Sequence, residues 1–235
     1  MKNYFNYEKV KQSIKTPQGR NAGILSVVLI IFMCAYWIAG LFSTPGNYKP
    51  VKPVTDGQVS LYLTNFILPE LNNKSQYGQP FDMVFSEQGI NDIITRQVDF
   101  NSLQRSGLSD LSVTFKHNRI LLTGRTIYRG FDFIVTIVLK PYINREGYLY
   151  FGAAKVEVGE SRIPFVAEAI KRKILYSLAG HWGDSNTSSF TRMLFNSGKI
   201  EPVFSLNKQK FRIKKFTVQS KQLTIQFQPE QNGKK

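Results

Sequence analysis

FDFIVTIVLKPYINREGYLYFGAAKVEV, the stretch from Phe131 to Val158, sets the architecture of this chain. Phe133 to Leu139 is apolar at every position but Thr136, and Tyr148 to Ala154 is nearly so. Strands built that way have no face to turn to water. The connection Asn144-Arg145-Glu146-Gly147 is too short for a parallel crossover, so the two strands run antiparallel. A single antiparallel sheet keeps one polar face, whereas here both faces need cover. Gly152, Ala153 and Ala154 put three small residues in mid-strand. They either admit a close-packed helix or leave room for an acyl chain.

Working outward, the period of two begins at Leu108. Leu111, Val113 and Phe115 alternate with Ser112, Thr114 and Lys116, and His117-Asn118-Arg119 supplies a turn. Ile120 to Tyr128 follows, and Arg129-Gly130 turns the chain into Phe131 to Lys140. Gly147 to Val158 completes an antiparallel meander. Lys210 to Gln219 and Gln222 to Gln228 are two more strands. Between the strand groups, Ile163, Val166, Ala167, Ile170, Ile174, Leu175 and Leu178 form a stripe at helical spacing. Pro164 is tolerated in its first turn, and Gly180 stops the helix. This helix is expected to cover one face of the sheet, and Thr191 to Phe195 can add a short one. Val59 to Leu71 predicts a helix whose last turn Pro69 disturbs. Another opens at Ser86, with Phe85 and Ile90 placed for a hydrophobic staple and Ile90, Ile93 and Ile94 on the buried face. Gly89 stands where a capping box would place Glu.

The amino-terminal end is of another kind. Ala22 to Phe42 has no charged side chain and, as a helix, spans roughly 31 Å, about the thickness of a bilayer's hydrocarbon core. Lys2, Lys9, Lys11, Lys15 and Arg20 precede it against one acid, Glu8, which predicts a cytoplasmic amino terminus. Tyr36 and Trp37 sit where amphipathic rings favour headgroups. A cleaved signal wants small residues after the run, and Leu41-Phe42 are bulky; a lipoprotein signal wants them before Cys34, where Phe32 and Met33 stand. The expected order is a basic cytosolic segment (1–21), a single-pass anchor in the cell membrane (22–42) and a Pro/Gly linker (43–58). An extracytoplasmic α+β domain (59–230) and a basic tail (231–235) follow. The linker reads as an extended tether lifting the domain off the membrane.

Net charge is +15, and 26 basic against 15 acidic residues lie beyond Asn21. An exterior domain seldom meets nucleic acid, so the excess points to phospholipid headgroups or an acidic wall polymer. The single cysteine, Cys34, lies in the apolar run, so no intrachain disulfide can form. Lys210, Arg212 and Lys214 alternate with Phe211 and Ile213, placing three cations on one strand face as candidates for an anionic surface. The same pattern also serves as a solvated edge that resists aggregation.

Catalytic signals are sparse. His117 falls in a hairpin turn, and His181, Asp184 and Ser185 crowd one polar loop, where close neighbours rarely point at one another. No metal-ligand spacing or phosphate loop is present. The expectation is therefore a non-enzyme without cofactor or metal, a hydrolase at the His181 loop being the distant rival. Phe133, Val135, Ile137, Tyr150, Gly152, Ala154, Ile170, Ile174 and Leu178 are the candidate lining of a lipid groove. A one-residue slip in strand parity would exchange the set.

Several stretches carry a resemblance. They are Phe85-Ser86-Glu87-Gln88-Gly89-Ile90-Asn91-Asp92-Ile93-Ile94, Asn118-Arg119-Ile120-Leu121-Leu122-Thr123-Gly124, Lys140-Pro141-Tyr142 and Gly147-Tyr148-Leu149. Val156-Glu157-Val158-Gly159 and Ile163-Pro164 complete the series. In this order the chain from about residue 83 to 230 resembles the YpmS-like anchored extracytoplasmic proteins of Gram-positive bacteria. More distantly it is similar to the tubular lipid-binding (TULIP-type) superfamily. The resemblance implies a strongly curved antiparallel sheet wrapped on a long helix, with an apolar groove able to hold lipid, and it brings no catalytic residues. Glu160-Ser161-Arg162 is more polar than that pattern expects at the bend. The implied function is binding or transfer of a lipid or lipid-linked envelope molecule. The alternative is a non-catalytic envelope module that binds a protein or an anionic wall polymer.

Overall fold

A computed structural model describes residues 17–52, 54, 57–97, 104, 107–160, 168–170, 172, 199–206 and 209–230. Helix α1 (Pro17–Phe42) contains the apolar run. A π-helical turn (Leu63–Ile67) leads directly into α2 (Leu68–Gln76). Then come β1 (Phe81–Ser86), α3 (Glu87–Gln97), β2 (Leu108–Lys116), β3 (Arg119–Tyr128), β4 (Phe131–Ile143) and β5 (Leu149–Val158). β6 (Val203–Leu206), β7 (Gln209–Gln219) and β8 (Gln222–Pro229) follow. The fold is α+β with an apolar amino-terminal helix and antiparallel sheets.

The strands form two four-stranded sheets, ordered β2-β3-β4-β5 and β1-β8-β7-β6. The meander from β2 to β5 is the one the period of two predicts. Neither β1 nor β6 is among the strands expected from sequence, although Phe81, Met83 and Phe85 alternate. Met83 is fully buried in a cluster with Ile67 and Phe227, because β1 pairs along its length with β8. Neither sheet is strongly curled: the closing strands recruit β1 into a second sheet, and most of the expected 163–179 helix lies outside the described residues.

Local chemistry explains the turns. Tyr128 pairs with Phe131 across a two-residue loop, and Arg129 and Gly130 both have positive φ (52° and 82°), the type I′ geometry matching the twist of the flanking strands. Ser86 caps α3 by accepting a hydrogen bond from the Gly89 amide at 3.0 Å. Phe85 and Ile90 pack into the same cluster, as a staple requires. Pro69 does not end its helix, which continues to Gln76. The wide π-turn immediately ahead of it relieves the crowding a proline imposes on the carbonyl four residues back.

The two sheets meet at the β2–β3 turn. The Asn118 amide donates to Val218 (2.9 Å) and the Lys221 amide to Phe115 (3.2 Å). Val113 and Phe115 share a core with Val218 and Leu223. The β3–β4 turn lies at the opposite end of the first sheet, nine residue steps along β3 or about 30 Å away. That end meets α1.

Candidate functional site

The expected lining begins on β4. Every residue from Phe133 to Leu139 is buried, so both faces of the strand are covered, as its composition demands. Phe133 and Val135 lie with Leu108, Leu111, Val158 and a fully buried Ile170 in one cluster. Ile137 and Leu139 continue the same face toward Ile120, Leu122 and Val156. Residues 168–170 and 172 are helical, so a helical residue from the expected stripe does cover this face. Ile174 and Leu178 lie outside the described residues, as do His181, Asp184, Ser185 and the 191–195 segment.

The β5 candidates divide differently. The register pairs Val135 with Val158 and Ile137 with Val156, then shifts between Val138 and Leu139. Ala154 falls in that irregularity. Beyond it, Leu139 faces Ala153, Lys140 faces Gly152 and Tyr142 faces Tyr150. Cross-strand partners share a face, so Tyr150 and Gly152 belong with Tyr142 and Lys140, opposite Phe133, Val135 and Ile137. The bulge has exchanged the parity. Tyr150 instead stacks on the half-exposed Tyr142, with centroids 5.2 Å apart and planes at 11°.

α1 adds one member to the cluster and a ring beside it. Leu41 is buried within it, and Phe42 stacks on Phe133 at 5.2 Å and meets Phe131 edge-on at 6.0 Å. The Glu160 amide donates to the Gly40 carbonyl (2.9 Å) and to Ser43 Oγ (3.0 Å). Gly159 permits this approach: it has φ of +56°, and a Cβ there would lie 2.4 Å from Gly40 O and 2.6 Å from Leu41 O. The following segment is docked rather than lifted away. Val51 donates to the Leu111 carbonyl (3.1 Å), Val54 to Thr95 (3.2 Å), and the Tyr48 hydroxyl to Asp110 O (2.6 Å). Burial, with the Asp110 carboxylate adding to it, pushes the Tyr48 phenol up to about 12. The outer edge of β2 makes this possible, because its unpaired backbone groups need partners.

The basic strand is also altered by its register. Arg212 is bound to Glu230 through Nε (2.9 Å) and Nη2 (2.7 Å), and Nη2 reaches Glu201 at 3.1 Å. The Glu230 bonds hold its guanidinium above the usual arginine range. Its charge is thus met within the domain. Lys214 falls in the β-bulge between Ile213 and Lys215, so the three-cation face expected from alternation is broken; Lys210 and Lys214 remain exposed. Arg212 also lies beside Gly147, beyond the far end of β4. Twelve residue steps of β4, about 40 Å, separate that end from Phe131.

His117 is exposed at the β2–β3 turn. Among the described residues, no group of three or more His, Cys, Asp or Glu side chains is placed to hold a metal. No family model, curated protein or solved structure matches this chain. Ile24–Phe42 is the one described helix long and apolar enough to cross a membrane, with mean hydropathy 2.5 and side chains turned outward. A membrane anchor and a signal sequence share that signature.

Leu41, Phe42 and Gly159 were not among the site residues expected from sequence. Gly159 ends a strand, where a glycine is unremarkable, and nothing in one-dimensional spacing shows which backbone comes to lie against it.

Proposed function

We propose that this is a single-pass membrane protein, with its amino terminus in the cytoplasm and its α+β domain outside. We infer that the domain binds or passes a lipid or lipid-linked envelope molecule without catalysing a reaction. The observation that carries this is the apolar seam joining α1 to the domain: Phe42 on Phe133, and Leu41 among Val135, Val158 and Ile170. An acyl chain leaving the bilayer beside α1 meets apolar side chains continuously, so it need not cross water to reach the sheet. Burial of Phe133, Val135 and Ile137 by neighbouring protein means that entry displaces the cover, to which Ile170 contributes. The resemblance to tubular lipid-binding proteins, which implies an apolar groove able to hold lipid, supports the same reading.

The test uses the full chain. Extracted in mild detergent and measured by native mass spectrometry, it should carry a discrete acyl-lipid adduct. A bilayer lipid bearing a photoreactive group on its acyl chain should label β4 or β5. Absence of an adduct, together with labelling confined to residues 24–42, would overturn the proposal. The second reading, an anionic wall polymer as ligand, is favoured by the position of Lys210 and Lys214 far from α1. Salt-sensitive binding of teichoic-acid-like polymer, lost on exchanging both lysines for Gln, would support it.

A further inference from the structure

The β3–β4 turn presents two large apolar side chains to the surface. Ile127 and Phe131 are 57% and 59% exposed, and each stands beside a short two-residue loop with open space at Gly130. The register pairs Ile127 with Asp132 and Tyr128 with Phe131, so the two apolar side chains project from opposite faces of the hairpin. A protein partner laid against one face would leave the other wet. A medium that surrounds the tip covers both.

We propose that the β3–β4 tip is a membrane foot, inserted into the headgroup layer of the bilayer that α1 spans. The claim rests on the anchor reading above and adds an interaction surface to it. Its position follows from α1. Ile24–Phe42 is 19 residues, about 29 Å as a helix, so Phe42 lies at the edge of the hydrocarbon core. The headgroup layer beyond is roughly 5–7 Å deep on each side. The ring of Phe131 is 6.0 Å from that of Phe42, so it lies within about one headgroup-layer depth of that edge. The chemistry of the tip suits the layer. Tyr128 and Phe131 supply rings, and the Arg129 guanidinium sits 5.5 Å from the Tyr128 ring, where it can meet lipid phosphates while its stem stays apolar. With α1, the foot gives the domain two points of contact and therefore a fixed tilt on the membrane.

Single-cysteine versions of the full chain, labelled with an environment-sensitive fluorophore in phosphatidylglycerol–phosphatidylcholine vesicles, test this. Native Cys34, near the middle of the Ile24–Phe42 span, reports the anchor. Ile127→Cys and Tyr77→Cys, each with Cys34→Ala, report the tip and an exposed site leading into the distal sheet. The proposal expects Cys34 quenched by spin labels deep on acyl chains, Ile127 by headgroup spin labels with blue-shifted emission, and Tyr77 by neither. A deep Cys34 with an aqueous Ile127 would overturn the foot and leave the anchor standing. An aqueous Cys34 would overturn both. A blue shift at Ile127 without quenching from lipid would mean that protein covers the tip, and would also refute the foot. Phe131→Cys repeats the measurement should labelling at Ile127 disturb the hairpin.

Discussion

Gly89 shows how much a single position can conceal. In the first turn of α3 it reads as a weak residue, since glycine in a helix interior costs up to about 1 kcal/mol relative to alanine. The structure gives it a reason: a Cβ at Gly89 would lie 2.2–2.3 Å from three atoms of the Tyr62 ring. That ring is not free to retreat. Its hydroxyl accepts a hydrogen bond from the Ser86 amide at 2.9 Å, and its face stacks on Phe66. Displacement forfeits the bond and the stack, and overpacking of this kind costs typically about 1–3 kcal/mol. Gly89→Ala should therefore lower stability by about 1–2 kcal/mol despite the better helix former. In a Tyr62→Ala background the same change should raise stability. Chemical denaturation of the four proteins decides it, and the same sign in both backgrounds would refute the account. Arg212 teaches the complementary lesson. Its place on a strand face was legible, but its partners Glu201 and Glu230 come from outside the strand, and charge counting along a sequence does not see such pairing.

At the scale of elements, the strands were the most legible part. The sequence boundaries at Gln219, Gln222, Leu108, Phe131 and Val158 coincide with those in the structure, because alternation and turn residues are local signals. What escaped was how an edge is closed. β2 borders the first sheet, and α3 supplies side chains where another strand would supply backbone. Asn91 donates to the Val113 carbonyl (2.7 Å) and accepts from the Val113 amide (2.8 Å), while Glu87 accepts from the Phe115 amide (2.7 Å). Asn91 thus imitates a peptide unit of a neighbouring strand. Asn91→Leu leaves both backbone groups of a buried residue unpaired, so a loss on the order of 2–3 kcal/mol is expected. Glu87→Gln, which keeps an accepting oxygen, should cost far less. Hydrogen exchange gives the sharper reading: Asn91→Leu should strip protection from the Val113 amide while the β7–β8 ladder keeps its own. Equal effects of the two substitutions would mean that α3 contributes packing rather than pairing.

The whole molecule is organised by one junction that proline and glycine content pointed away from. Ser43 to Gln58 has the composition of a free spacer, yet its first part forms bonds to β2 and α3, so the domain stands on the end of α1 instead of swinging beneath a tether. Composition measures what a segment prefers in isolation; the exposed edge of β2 changes what it gains by docking. Gly159 is the tightest point of the junction, since the atoms facing it are backbone and cannot rotate aside. Gly159→Ala should therefore separate α1 from the sheet without unfolding the far layer, whose core of Met83, Ile67 and Phe227 lies elsewhere. In the full chain, spin labels at residue 38 of α1 and at residue 132 should give a narrow distance distribution before the substitution and a broad one after it. Proteolysis between residues 43 and 54 should accelerate in parallel, as the bonds of Tyr48 and Val51 are lost with the docking. If the distribution stays narrow while thermal stability falls across both sheets, Gly159 serves the core of the domain and not its attachment. If it broadens alone, the fixed stance on α1 is a separable property, and lipid capture can be measured with and without it.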